Sequence, residues 1–130
     1  MVVDASALLA ILFAEIDAQE LTTIILSSSS RRISVINLTE AAIVADHDKG
    51  GRIGGVQFDE FVRRLEFSIE PVTLEQTTLA RSAYRRFGKG NHPARLNLGD
   101  CFAYALSKAT GEPLLFKGGD FAATDVERVT

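Results

Sequence analysis

Cysteine is nearly absent from this chain: Cys101 is the only one in 130 residues. A single cysteine excludes an intrachain disulfide and a thiolate cluster for zinc. With two histidines and no CxxC, a structural zinc site is not expected. No apolar run approaches the roughly 20 residues that a membrane helix needs. The N-terminal stretch has no basic leader and Asp4 interrupts its apolar start, so a signal peptide is not expected and the reading is cytoplasmic. Neither phosphate-loop pattern, GxxxxGK[ST] or GxGxxG, occurs, although Gly50, Gly51, Gly54 and Gly55 cluster in one loop. Positive charge is also in deficit. A net charge of −3 argues against a globally basic nucleic-acid binder.

What is present points to one packed domain, residues 1–130, with 46% hydrophobic residues. Short β-favouring runs at residues 1–3, 33–36, 68–72 and 113–117 alternate with helical patterns at 7–13, 18–27, 38–45, 56–67, 73–87 and 98–109. Asp17, Asn37 and Asn97 are expected as helix caps, and residues 126–129 as a short fifth strand. Pro71 marks the third strand as an edge, and the apolar 113–117 run reads as central. Such alternation predicts an α/β domain with a largely parallel sheet and helices on both faces. Right-handed crossovers then bring every strand's carboxyl end to one edge.

Four acids stand where that edge would be. Asp4 ends the first strand, Glu40 is expected in the first turn of the third helix, Asp100 opens the helix at 98–109, and Asp120 follows the 113–117 strand. Each alone has an ordinary explanation as a turn residue or a helix-dipole partner. Together on one rim they could not all stay ionised without a cation, because like charges raise one another's pKa. Oxygen ligands suit Mg²⁺, with Mn²⁺ as a substitute, and such ions activate water for phosphodiester cleavage. The charge distribution adds to this. Residues 76–99 hold Arg81, Arg85, Arg86, Lys89 and Arg95 and no acid, leaving nine cations against seventeen acids elsewhere. A basic strip beside an acidic pocket could hold a polyanion; a solvated helix face is the plainer explanation. The same plain explanation covers Asp46, His47, Asp48 and Lys49.

The stretches Val2-Val3-Asp4-Ala5-Ser6-Ala7, Asn37-Leu38-Thr39-Glu40, 96–106 around Asn97-Leu98-Gly99-Asp100, and 114–121 with Thr124-Asp125 resemble, in order and spacing, the PIN-domain ribonucleases of the VapC toxin type. That resemblance implies a PIN-like domain, a Mg²⁺-dependent endoribonuclease, a cognate antitoxin and frequent homodimers. It also implies that Asp4, Glu40, Asp100 and Asp120 are the catalytic and metal-holding acids, with Ser6 supporting Asp4. Asp125 competes with Asp120 for the fourth place. Arg81, Arg85, Arg86, Lys89 and Arg95 would hold the RNA backbone, and the helix at 56–67 could carry a dimer or antitoxin surface. Two other classes remain: an aspartyl-phosphate phosphoryl-transfer domain, suggested by Lys117 after a late strand, and a non-catalytic PIN-like binding module. The missing second aspartate of a DxD pattern counts against the first, and the presence of all four acids counts against the second.

Overall fold

A computed structural model describes residues 1–48 and 54–129 of the chain. Lys49, Gly50 and Gly51, which the sequence reading placed in a charged helix end and a loop, lie outside the described residues. Four short strands form one sheet: β1 (Val2–Val3), β2 (Arg32–Ser34), β3 (Ser68–Glu70) and β4 (Leu114–Leu115). Their order is β3-β2-β1-β4, and every pairing is parallel. Val2 stands opposite Arg32 on one side and Leu114 on the other. The intervening helices are α1 (Ala5–Leu12), α2 (Ala18–Ser27), α3 (Val35–Asp46), α4 (Gly55–Leu65), α5 (Leu74–Phe87) and α6 (Leu98–Thr110).

Side chains alternate across the pleat, and the two faces bury different helices. Val3, Ile33 and Leu115 pack on one face with Leu8, Leu21, Ile25, Ala41, Phe58 and Leu65, drawn from α1 to α4. Val2, Leu114 and Phe116 pack on the other with Ala83, Phe87, Tyr104 and Leu106 from α5 and α6. Cover on both faces is what allows β1 and β4 to be apolar throughout. At the amino edge of the sheet, Glu112 accepts from the Met1 amino group at 2.7 Å and from Ser30 Oγ at 2.6 Å, and also pairs with Arg32. These contacts hold the Glu112 carboxyl at about 2, although its partial burial opposes that.

Several boundaries differ from the sequence expectation, each for a local reason. Ser34 ends β2 two residues early, because its Oγ accepts the Ile36 N–H at 3.2 Å and caps α3. Val35 and Ile36 are β-branched, but their place in the tertiary fold overrides that propensity. Asn37 is therefore no cap but a fully buried residue of α3, and Glu40 falls in the second turn rather than the first. Asp4 caps α1, which starts at Ala5 rather than Ala7. Asp17 precedes α2 without capping it, since its carboxylate takes the Lys117 ammonium at 2.9 Å. β4 lies at an edge rather than in the centre. The expected fifth strand reduces to a single parallel bridge between Arg128 and Leu114, with the Leu114 N–H donating to Glu127 O and the Val129 N–H to Leu114 O. That segment covers the edge and explains why so apolar a strand can sit there. The apolar stripe of α4 is mainly core: Phe58 and Leu65 are buried, Phe61 and Val62 are partly so, and Val56 alone of the group stays open.

Candidate active site at the carboxyl edge of the sheet

The parallel sheet delivers the ends of β1, β2 and β4 to one rim. Asp4 follows β1 directly, and its backbone is extended. Its Oδ2 accepts the Ser6 N–H at 3.0 Å and caps α1. Its Oδ1 is buried with no hydrogen-bond partner. Burial pushes the Asp4 carboxyl above its ordinary range; the Ser6 contacts oppose this and the charge of Asp120 adds to it. Ser6 also ties the rim together, because its Oγ accepts the Lys117 N–H at 3.0 Å from the segment after β4.

Asp100 occupies the third position of α6 in a reciprocal cap. Asn97 Oδ1 accepts the Asp100 N–H at 2.8 Å, and Asp100 Oδ2 accepts the Asn97 N–H at 2.9 Å. Burial pushes the Asp100 carboxyl up to about 7. The Asn97 N–H opposes the shift, while charges on Asp4, Asp120 and Glu40 reinforce it. Glu40 arrives from α3; its pKa is raised by burial and by Asp4, against a hydrogen bond from Asn37. Asp120 is exposed in the turn after β4, and its charge reaches both Asp4 and Asp100. The four acids thus share one electrostatic field.

Asp125 belongs elsewhere. It accepts from Tyr104 Oη at 2.7 Å and lies 3.4 Å from both Lys108 Nζ and an Arg86 nitrogen. Burial works to raise its pKa, but the tyrosine and the two cations outweigh that and hold it below the ordinary range. Of the five basic side chains, Arg86 is engaged in this network and stacks over Phe87 at 4.6 Å. Arg81, Arg85, Lys89 and Arg95 are exposed. Arg81 and Arg85 line a largely apolar groove of about 440 Å³ between α5 and α6, beside Tyr84, Leu98 and Phe102. The loop carrying Lys89 and Arg95 is closed by the Lys89 N–H on Leu96 O and the Leu96 N–H on Phe87 O, both at 2.9 Å. Lys117, the residue behind the phosphoryl-transfer alternative, is bound by Glu15 and Asp17 at 2.9 Å each. Cys101 is a buried thiol pushed up to about 11, chiefly by burial, and is suited to packing rather than chemistry.

Among the described residues, no three His, Cys, Asp or Glu side chains close on one point as a finished metal cage. The rim nonetheless fits a hard cation. It offers oxygen donors, an unpartnered buried carboxylate oxygen on Asp4, and mutual repulsion that a bound cation would relieve. An open oxygen-lined rim leaves room for the waters that a hard divalent cation keeps.

Residues 1–127 match the family model of the PIN domain. The chain belongs to the PIN-domain family. Among curated PIN-domain relatives, it is 46% identical over 129 residues to a protein named Ribonuclease VapC from Mycolicibacterium smegmatis, covering 99% of both chains. It is 45% identical to Ribonuclease VapC28 of Mycobacterium tuberculosis, covering 98% of this chain and 96% of that one. These likenesses place it with the VapC type of PIN-domain proteins. The fold also matches solved structures at lower identity. Mycobacterium tuberculosis VapC20, described as a sarcin-ricin loop cleaving toxin, superposes with a TM-score of 0.76 at 20% identity, covering 98% of this chain and 97% of that one. A toxin–antitoxin complex from Klebsiella pneumoniae gives 0.73 at 17%, covering 99% and 95%.

Two residues that the sequence offers only as an expected helix cap, Asn37, and as a motif neighbour of Asp100, Gly99, stand at the PIN-domain rim. Asn37 Nδ2 donates to Glu40 Oε1 at 3.2 Å and to Gly99 O at 3.0 Å. Gly99 lies so close to Glu40 that an added Cβ would stand 2.2 Å from Oε2. A glycine inside a helix start was the available signal for the second, since it is unfavourable there without a close contact to explain it. Asn37, three residues before Glu40 on the same helix, carried a weaker one.

Proposed function

We propose that this VapC-type chain hydrolyses RNA phosphodiester bonds at the rim of Asp4, Glu40, Asp100 and Asp120, with Mg²⁺ as the cation and Mn²⁺ able to replace it. The chain is an RNA-cleaving toxin of a toxin–antitoxin pair, as its full-length likeness to VapC ribonucleases indicates. The observation that carries the site assignment is the buried, unpartnered Oδ1 of Asp4 at a rim where Asp4, Asp120 and Glu40 all bring negative charge to the buried Asp100.

Asp4 and Asp100 would hold the cation most directly, with Glu40 and Asp120 completing the charge around it. When bound, that ion supplies an activated water and neutralises charge on the phosphate. The protein side chains do the rest. Asp4 and Asp100 are fixed by their caps, so their free oxygens need no reorganisation. Arg81, Arg85, Lys89 and Arg95 bind backbone phosphates, which adds affinity without reading sequence. Arg86, tied to Asp125 and Tyr104, contributes less.

A cognate antitoxin is the protein partner. A homodimer and a cytoplasmic location complete the reading. Among the described residues no helix is long and apolar enough to cross a membrane. The test is cleavage of bacterial RNA by the purified chain, abolished by chelator and restored by Mg²⁺ or Mn²⁺. Cutting that persists unchanged in chelator would overturn the metal reading.

A further inference from the structure

Glu40 is the acid of the rim with the longest side chain, and α3 alone does not fix where its carboxylate sits. Two residues outside the acidic quartet do so. Asn37, one turn earlier on α3, is fully buried, and its Nδ2 bridges Glu40 Oε1 and the Gly99 carbonyl. Its Oδ1 is buried without a partner. Turning the amide over would set an acceptor against two acceptors, so the donor end determines its orientation. Gly99 stands against the same carboxylate, where a Cβ would fall 2.2 Å from Oε2 and 2.5 Å from both Cδ and Oε1. Those atoms end a flexible side chain, so a Cβ would displace the carboxylate rather than the backbone.

We propose that Asn37 and Gly99 are positioning residues that clamp the Glu40 carboxylate beside Asp100 and set its place for the cation. This rests on the reading that Glu40 belongs to the metal-holding rim. The clamp joins α3 to α6 at the residue immediately before Asp100, so the two helices cannot shift apart at the rim without releasing Glu40.

The experiment is a double-mutant cycle of Gly99→Ala and Glu40→Gln, reading melting temperature, Mn²⁺ affinity and single-turnover RNA cleavage. Alanine favours a helix over glycine, so a purely structural role predicts equal or higher stability and unchanged cleavage. The expected result is a melting temperature kept or raised, with Mn²⁺ affinity and cleavage each falling about tenfold in the wild-type background and less than about twofold in the Glu40→Gln background. A tenfold loss that persists without Glu40, or no loss where Glu40→Gln itself is impaired, overturns the proposal. If Glu40→Gln is unimpaired, it is the metal role of Glu40 that fails. The crystal structure of Gly99→Ala then decides the clamp. Displacement of the Glu40 carboxylate out of reach of Asn37 Nδ2 supports it, and an unmoved carboxylate refutes it.

Discussion

The carboxylate of Asp4 faces two ways: Oδ2 caps α1 through the Ser6 N–H at 3.0 Å, and Oδ1 is buried with no protein partner. One oxygen serves the fold and the other is left for the rim. Asparagine keeps a capping oxygen and loses the charge, whereas alanine loses both. Asp4→Asn should therefore melt close to the wild type while RNA cleavage falls by about 100-fold or more. Asp4→Ala should lose a further ~1 kcal/mol of stability. Thermal unfolding beside single-turnover cleavage separates the two effects.

Asp100 makes the metal-free protein sensitive to pH. Its folded pKa lies near 7 and its ordinary value is 3.8, so the folded state holds a proton that the unfolded state releases. The stabilising contribution is complete below about pH 4 and is lost as pH rises through about 7. In chelator, the wild type should lose stability from pH 4 to pH 8 relative to Asp100→Asn, by on the order of 1–3 kcal/mol. Added Mg²⁺ should remove much of that difference, since a cation bound only by the folded state stabilises it. Melting curves at several pH values, with and without Mg²⁺, give the answer. A pH-independent gap would place the Asp100 charge outside the field described.

Asp120 and Asp125 should behave differently. Asp120 adds its charge to Asp4 and Asp100, whereas Asp125 is held by Tyr104, Lys108 and Arg86. Asp120→Asn should slow cleavage about tenfold or more with little change in melting. Asp125→Asn should keep cleavage within about twofold and lower stability by up to ~1 kcal/mol, as a partly exposed ion pair allows. The reverse pattern would make Asp125 the fourth acid.

The positive strip should show itself in salt dependence. Each phosphate contact to single-stranded RNA contributes about 0.7 to the slope of log affinity against log salt. Replacing Arg81 and Arg85 together by glutamine should reduce that slope by about 1.4. Arg86→Gln should change it less, because Arg86 already faces Asp125. Filter binding across a salt series, with cleavage blocked by chelator, measures this. An unchanged slope in the double variant removes the strip from the RNA path.

The fold was legible in the sequence where a signal was local and repeated. Strand-ending Asp4 and the Asn97 cap each depend on residues close by in sequence, and both are read directly. The parallel sheet followed from the alternation of short apolar runs with helical ones. What escaped depends on distant chain. Val35 and Ile36 favour strand, yet the Ser34 cap takes them into α3. β4 looked central because it is apolar, whereas its outer edge is covered by one bridge from Arg128, to which the expected fifth strand reduces. Asp125 looked interchangeable with Asp120 because its contacts to Tyr104 and Lys108 come from α6, distant in sequence. Gly99 and Asn37 matter through a contact between helices some sixty residues apart in sequence.

The central claim is that the acidic rim, with its cation, cuts RNA. Its most direct test is single-turnover cleavage of bacterial RNA by the wild type and by Asp100→Asn, prepared identically and assayed in Mg²⁺ or Mn²⁺. Asparagine keeps the shape and removes the charge. Cleavage by the wild type that falls by about 100-fold or more in the variant is the predicted result. Equal, metal-dependent cutting by both proteins would contradict it.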